Sequence, residues 1–227
     1  MRHSIAVRCL SAAFVLLILA AAHANAQSTE TQAAGTQAAP KNSLVAGAWA
    51  LQFKVDSDAI LSEFGGSVAI KRHVSDRSAF RVGFDYGLST GDRDWDGERQ
   101  NDRANGMIGM FVDYLRYTDV TSPVNFFWGV GPFGSFYRSR DTIEQEFSET
   151  ESVIKIWNAG ISGRVGVEWF ATRSLSFHAE YFGTAYYESR TSESTTTHGE
   201  TSDSSEISDD EWRLSRGPVV LGLSAYF

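Results

Sequence analysis

Phe80-Arg81-Val82-Gly83-Phe84-Asp85-Tyr86-Gly87-Leu88 decides the fold class. Phe80, Val82, Phe84, Tyr86 and Leu88 share one phase, and Arg81, Gly83, Asp85 and Gly87 the other. A period of two gives a strand two chemically different faces and gives a helix none. The same alternation runs through 49–56, where Trp49, Leu51, Phe53 and Val55 oppose Ala50, Gln52, Lys54 and Asp56. It returns at 175–187 (Leu175, Phe177, Ala179, Tyr181) and at 219–227 (Val219, Leu221, Leu223, Ala225, Phe227). Four further strands are predicted at 64–73, 105–117, 124–137 and 154–170. The expectation is an all-β, eight-stranded antiparallel up-and-down barrel.

The predicted connections alternate in length. Short ones fall at 74–78, 118–123 and 171–174, long ones at 57–63, 90–103, 139–153 and 189–210. In a meander, odd and even connections lie at opposite ends, so one end carries tight turns and the other carries long loops. Asp and Glu number five in 90–103, five in 139–153 and six in 189–210. The last segment, rich in Ser and Thr with His198 at its middle, reads as a mobile low-complexity loop.

Composition narrows the function. The chain has 227 residues, 20 Lys+Arg, 28 Asp+Glu and one Cys, with formal charge −8. An acidic balance excludes a nucleic-acid binder, which needs a basic face. One cysteine excludes a disulfide scaffold and a multi-cysteine zinc site. Mean hydropathy of −0.22 excludes helical membrane spans. Residues 1–26 carry Arg2 and Arg8, an apolar run from Cys9 to Ala22, and Ala24-Asn25-Ala26, the three parts of a cleavable secretory signal. Cys9 opens the apolar run, whereas a lipoprotein cysteine follows it. Cleavage removes the only cysteine and two arginines, taking the charge to −10. Residues 27–43 read as a flexible segment, and 44–227 as the barrel.

Alternation alone does not say which face is wet. A soluble barrel of the lipocalin type puts the apolar phase inside, and a membrane barrel puts it outside. The polar phase here is rich in small residues, Ala50, Ser67, Gly83, Gly109, Gly131, Gly166 and Ser224 among them, which a narrow lumen requires and a solvated strand does not. Its remaining members mix both signs: Lys54, Asp56, Lys71, Arg81, Asp85, Asp113, Arg164, Glu168 and Glu180, with His178. In a closed lumen these form a polar network. Aromatic residues cluster at strand ends on the apolar phase, as interfacial girdles do: Trp49, Tyr114, Phe126, Trp128, Trp169 and Phe227 at one end, Tyr187 and Trp157 at the other.

The C-terminal strand, with Val219, Leu221, Leu223, Ala225 and a terminal Phe227 on one phase, resembles the assembly signal of bacterial outer-membrane barrels. With the leader, the eight strands and the unequal connections, residues 44–227 resemble the small eight-stranded outer-membrane superfamily of the OmpA transmembrane domain and OmpX. That resemblance implies an outer-membrane location, periplasmic termini and short turns, outward-facing long loops, and partners in outer-membrane lipid, lipopolysaccharide and the barrel-assembly machinery. A monomer is expected, and because the sequence stops at Phe227, the periplasmic peptidoglycan-binding domain that some relatives carry after the barrel is expected to be absent.

Several chemistries remain in play at this level. The first reading is a non-enzymatic barrel that supports the envelope and presents acidic loops to an unidentified surface ligand. A narrow ion or small-molecule channel, opened by rearranged lumen salt bridges, is the alternative, with a lateral port for small hydrophobic molecules beside it. Ser176, His178 and Glu180 fall on one strand face and carry the residue types of a hydrolytic triad. A lipid A-modifying enzyme needs them facing lipid, and this phase faces inward. Asp92, Asp94, Asp96 and Gly97 match the start of an EF-hand loop, with Glu98 and Asp102 nearby, but Arg103 stands where the bidentate Glu belongs. Calcium at 92–98 is the one cofactor the sequence suggests.

Overall fold

The structure is a computed structural model that describes residues 43–56, 64–95, 99–118, 122–145, 148–198 and 201–227. The leader, nearly all of the 27–43 segment, Asp96 and Glu98 lie outside the described residues. Eight strands follow in order: β1 (Trp49–Asp56), β2 (Phe64–Ser75), β3 (Ser78–Trp95), β4 (Arg99–Tyr117), β5 (Val124–Gln145), β6 (Ser148–Phe170), β7 (Leu175–His198) and β8 (Thr201–Tyr226). Each pairs antiparallel with its sequence neighbour, and β1 pairs with β8, closing the barrel.

The apolar phase faces outward. Phe84, Met110, Phe126, Ile161, Val165, Trp169 and Leu221 are each between 49 and 62 % exposed, while Arg81, Asp113, Glu168 and Glu180 are at most 1 % exposed. A water-soluble domain would be inverted. On β6 the outward apolar run extends from Trp169 to Trp157, twelve residue steps. At about 3.3 Å per residue and a tilt of roughly 40°, that is roughly 30 Å of height, the span of a bilayer core with its ring belts.

Of the four long connections read from the sequence, 57–63 lies outside the described residues and the other three are largely strand. Segments 90–103, 139–153 and 189–210 continue as paired hairpins, with Thr195 opposite Ser204 and Glu144 opposite Glu149. Only 96–98, 146–147 and 199–200 interrupt them outside the described residues. Beyond the apolar band both faces are wet, so the alternation that marks a strand in sequence disappears while the backbone ladder continues. Cross-strand side-chain pairs such as Thr150 Oγ1 with Thr196 Oγ1 at 3.3 Å support the extension.

A bulge re-phases β8. Tyr181 pairs with Val219 but Gly183 pairs with Arg216, so two steps on β7 oppose three on β8. The extra residue lies at Gly217-Pro218. A Cβ on Gly217 would come within 2.1 Å of the Phe182 ring, and a bulge tolerates a proline that cannot donate. The outward phase of β8 thereby switches from Val219 to Leu214 and Trp212, and Trp212 meets Tyr187 edge-on at 5.6 Å.

The short-turn end is sealed by a compact apolar cluster of Leu44, Ala50, Ala79, Leu115, Tyr117, Phe127, Phe170 and Tyr226. Residues 43–48 cross that end. Gly47, at φ 89°, turns the chain there, its N–H donating to the His73 carbonyl at 2.8 Å.

Candidate functional site: a buried ion-pair network in the lumen

The inward phase of the strands delivers charges in matched positions. Lys71 on β2 is the register partner of Arg81 on β3, and Arg81 that of Asp113 on β4. Across the lumen, Glu168 on β6 is the register partner of His178 on β7, and Glu180 follows two residues on. Cations of one wall therefore face carboxylates of the other.

Two clusters result. The first is centred on Glu168, nearer the short-turn end. Lys71 Nζ donates to both Glu168 oxygens at 3.0 and 2.9 Å, and the hydroxyls of Tyr117, Ser176 and Tyr226 donate to them at 2.8, 2.6 and 2.9 Å. Four donors satisfy one buried carboxylate. The second cluster is centred on Arg81, which bridges Asp113 at 2.9 Å and Glu180 through a short contact, and also donates to Gln52 Oε1 at 3.3 Å. Arg164 joins Asp113 at 3.1 Å and Glu180 at 3.7 Å, and Lys54 reaches Glu180 at 3.3 Å. The Phe111 ring lies beside this cluster, its centroid 4.7 Å from Lys54 Nζ, 5.5 Å from Arg81 Cζ and 4.6 Å from Arg164 Cζ. Gly83 leaves room for that ring, since a Cβ there would come within 2.1 Å of it.

Asp85 stands half-buried on the same wall, opposite Ser67 and Gly109. With it, four cations are balanced by four carboxylates among the described residues of the lumen. Neutrality matters because an unpaired charge in a dry interior costs several kcal/mol or more. Lys54, Lys71, Arg81, Asp85, Asp113, Arg164, Glu168 and Glu180 lie on the inward face, and the Asp56 side chain lies outside the described residues. The sequence reading missed Gln52, Tyr117 and Tyr226 as members. The tyrosines count as apolar in an alternation pattern, yet each spends its hydroxyl on Glu168; their inward parity was the available signal.

The hydrolytic arrangement is not assembled. Ser176 Oγ donates to Glu168, His178 Nδ1 faces Ser224 Oγ at 3.3 Å, and His178 Nε2 is 3.5 Å from Glu180. The serine is hydrogen-bonded to a carboxylate and the histidine to a different serine, and all three groups are buried in the lumen. The calcium loop also meets a different backbone. Asp92 and Asp94 belong to β3 in register with Asp102 and Gln100, an extended ladder where an EF-hand loop would curl round its ion. Among the described residues no group of three or more metal-ligating side chains occurs.

No protein-family model matches the chain, and no curated protein matches it. Among solved structures, a major outer membrane protein from Thermus thermophilus is similar with a TM-score of 0.55 at 15% identity, covering 80% of this chain and 100% of that one. This chain has the fold of an eight-stranded outer-membrane β-barrel. Acinetobacter baumannii CarO (TM-score 0.39, 11% identity, 82% of this chain and 100% of that one) is a more distant match. So is the N-terminal β-barrel domain of Pseudomonas aeruginosa OprF (0.31, 13%, 80% and 98%). These likenesses concern fold, and the chemistry of the lumen rests on this chain's own residues.

Proposed function

We propose that this protein is an integral, monomeric outer-membrane barrel, exported by a cleaved leader, with a structural and surface-presenting role and no enzymatic activity. The observation that carries the reading is the pairing of an outward apolar band with a lumen filled by compensated charges. Such a band in water would be a very large exposed apolar patch, far beyond the few hundred Å² that soluble monomers tolerate. Arg81–Glu180 and Lys71–Glu168 span a lumen only wide enough for side chains, which supports a plugged barrel over a pore. The partners this reading names are outer-membrane lipid and lipopolysaccharide outside the wall, the barrel-assembly machinery at the C-terminal strand, and a surface ligand at the acidic hairpins.

Outer-membrane fractionation with heat-modifiable gel mobility tests the reading. The expected result is a membrane-bound species that migrates differently before and after boiling; a soluble periplasmic protein would overturn it. A gated narrow path is the second reading, favoured by one observation. Glu180 has three cationic neighbours, Lys54, Arg81 and Arg164, so it can exchange one partner for another. Planar-bilayer recording separates the two, because a structural barrel gives no unitary steps.

A further inference from the structure

The outward face of β5 and β6 changes character over one ladder step. Phe136 and Trp157 are register partners, with ring centroids 4.5 Å apart, and close the apolar band on these strands. The next outward pair toward the acidic hairpins is Arg138 and Lys155, also register partners. Two residues further along β5 lies Arg140, opposite Val153. In a chain of formal charge −8, three cations therefore gather on one outward patch. Two have carboxylate partners: Arg140 Nε lies 2.9 Å from Glu151, and Lys155 Nζ 2.5 Å from Glu193. Arg138 has no ion-pair partner among the described residues, so the patch keeps one positive charge in excess.

Height and shape suit a particular ligand. Aromatic rings of a membrane barrel sit at the edge of the hydrocarbon, and two residue steps raise the cations about 5 Å above it, where headgroup phosphates lie. Directly opposed side chains have Cβ atoms about 5 Å apart, so a guanidinium and an ammonium can close on one phosphate. Arginine binds phosphate through two parallel N–H donors, and lysine adds a mobile point charge. On the far side of Arg138 the register partner is Gly106, which leaves the approach along β4 open.

We propose that Arg138 and Lys155, above the Phe136–Trp157 ring pair, form a binding site for the phosphate group of an outer-leaflet lipid headgroup. The site rests on the membrane reading above and adds residues and a ligand chemistry to it. Acyl chains lie along Ile161 and Val165 below the rings while the phosphate is held by the two cations. Glu193 then exchanges its partner for solvent.

Native mass spectrometry of the full barrel in micelles tests this directly. The probes are dimyristoyl phosphatidic acid, dimyristoyl phosphatidylcholine and sodium phosphate. The double variant Arg138→Gln/Lys155→Gln is expected to retain at least five-fold less phosphatidic acid than wild type. The variant Arg103→Gln/Arg190→Gln removes equal charge from the protruding hairpins and is expected to retain as much as wild type. Unchanged retention in the first variant or equal loss in both overturns the site; phosphatidylcholine, whose phosphate is a singly charged diester beside a choline cation, is expected to be retained less than phosphatidic acid. Displacement of the lipid by millimolar sodium phosphate keeps the phosphate site but overturns a lipid as its source. Heat-modifiable mobility in the same micelles shows that each barrel is folded; if the double variant is not, Arg138→Gln alone is scored for a two- to three-fold loss. Fractionation in cells tests the membrane reading separately, so failure of one is distinguishable from failure of the other.

Discussion

Lys71 holds Glu168 by both carboxylate oxygens, at 3.0 and 2.9 Å, and neither side chain is more than 1 % exposed. The pair joins β2 to β6 straight across the lumen, a link that no ladder of neighbouring strands makes. It converts a ring of hydrogen-bonded strands into a braced cylinder. Its strength depends on compensation, since the desolvation of each ion is recovered only while the partner remains.

Lys71→Met therefore leaves Glu168 with three hydroxyl donors and no counter-charge. The expected loss is about 3–5 kcal/mol, the usual cost of stranding one member of a buried pair. Urea unfolding in micelles, followed by tryptophan fluorescence, measures it. Adding Glu168→Gln to the same chain should recover much of the loss; a double variant as unstable as the single one would show that the pair is not the brace.

Backbone approach at β4–β5 sets a second expectation. A Cβ on Gly131 would lie 1.7 Å from the Val112 carbonyl oxygen, whereas one on Gly163 meets nothing within 4 Å. Gly131→Ala should destabilise by about 1–3 kcal/mol or more, because backbone cannot move aside as a side chain can. Gly163→Ala should stay within about 0.5 kcal/mol of wild type. Equal unfolding midpoints for the two variants would contradict the close approach.

The β7–β8 hairpin gives a test of extended structure. From Thr201 to Arg216, β8 has β7 as its partner and no second strand among the described residues. In an antiparallel ladder alternate N–H groups point to the partner. Hydrogen exchange should therefore show alternating protection along 203–215, where a loop would show none. Replacing 194–205 by a two-residue turn should change the stability of the barrel by less than about 1 kcal/mol, since the removed tip buries no lipid-facing surface.

At the C-terminus, Phe227 is 74 % exposed and is tied to Trp49 by backbone bonds alone, at 3.3 and 3.0 Å. Phe227→Ala should shift the stability of the purified, folded barrel by less than about 1 kcal/mol, consistent with a surface substitution. If the residue is read by assembly machinery, its level in the outer membrane of cells should fall several-fold. Normal cellular levels would remove Phe227 from any assembly role and leave the signal to Val219, Leu221, Leu223 and Ala225.

Arg81 bridges Asp113 and Glu180 at the centre of the upper lumen cluster. Arg81→Ser opens space there and leaves Asp113 to Arg164 and Glu180 to Lys54 and Arg164. Unitary conductance steps are expected in planar bilayers where wild type gives a flat trace. A flat trace for the variant as well would mean that the lower cluster around Glu168 closes the barrel unaided.

Period-two alternation was sufficient to count the strands and to divide each into two faces, and the small residues and mixed charges of the polar phase said which of the two faces inward. A strand crossing a bilayer must be apolar on one side, and a closed narrow lumen must be small or compensated on the other, so both demands are written locally. The lumen charges were legible for the same reason: Lys54, Lys71, Arg81 and Glu168 interrupt the polar phase at fixed parity. Which charge meets which was not, because pairing across a barrel joins residues up to 126 positions apart, as in Lys54 and Glu180. The roles of Tyr117 and Tyr226 were hidden by chemistry, since one side chain is apolar along its ring and polar at its tip. The extent of the protruding hairpins was hidden by solvent, because a ladder with water on both faces needs no alternation. The sequence alone determined the barrel and its sidedness. Tertiary closure decided the ion-pair partners, the Gly217-Pro218 bulge that turns Trp212 outward, and the meeting of Arg138 with Lys155 above the ring belt, all of which depend on register between strands.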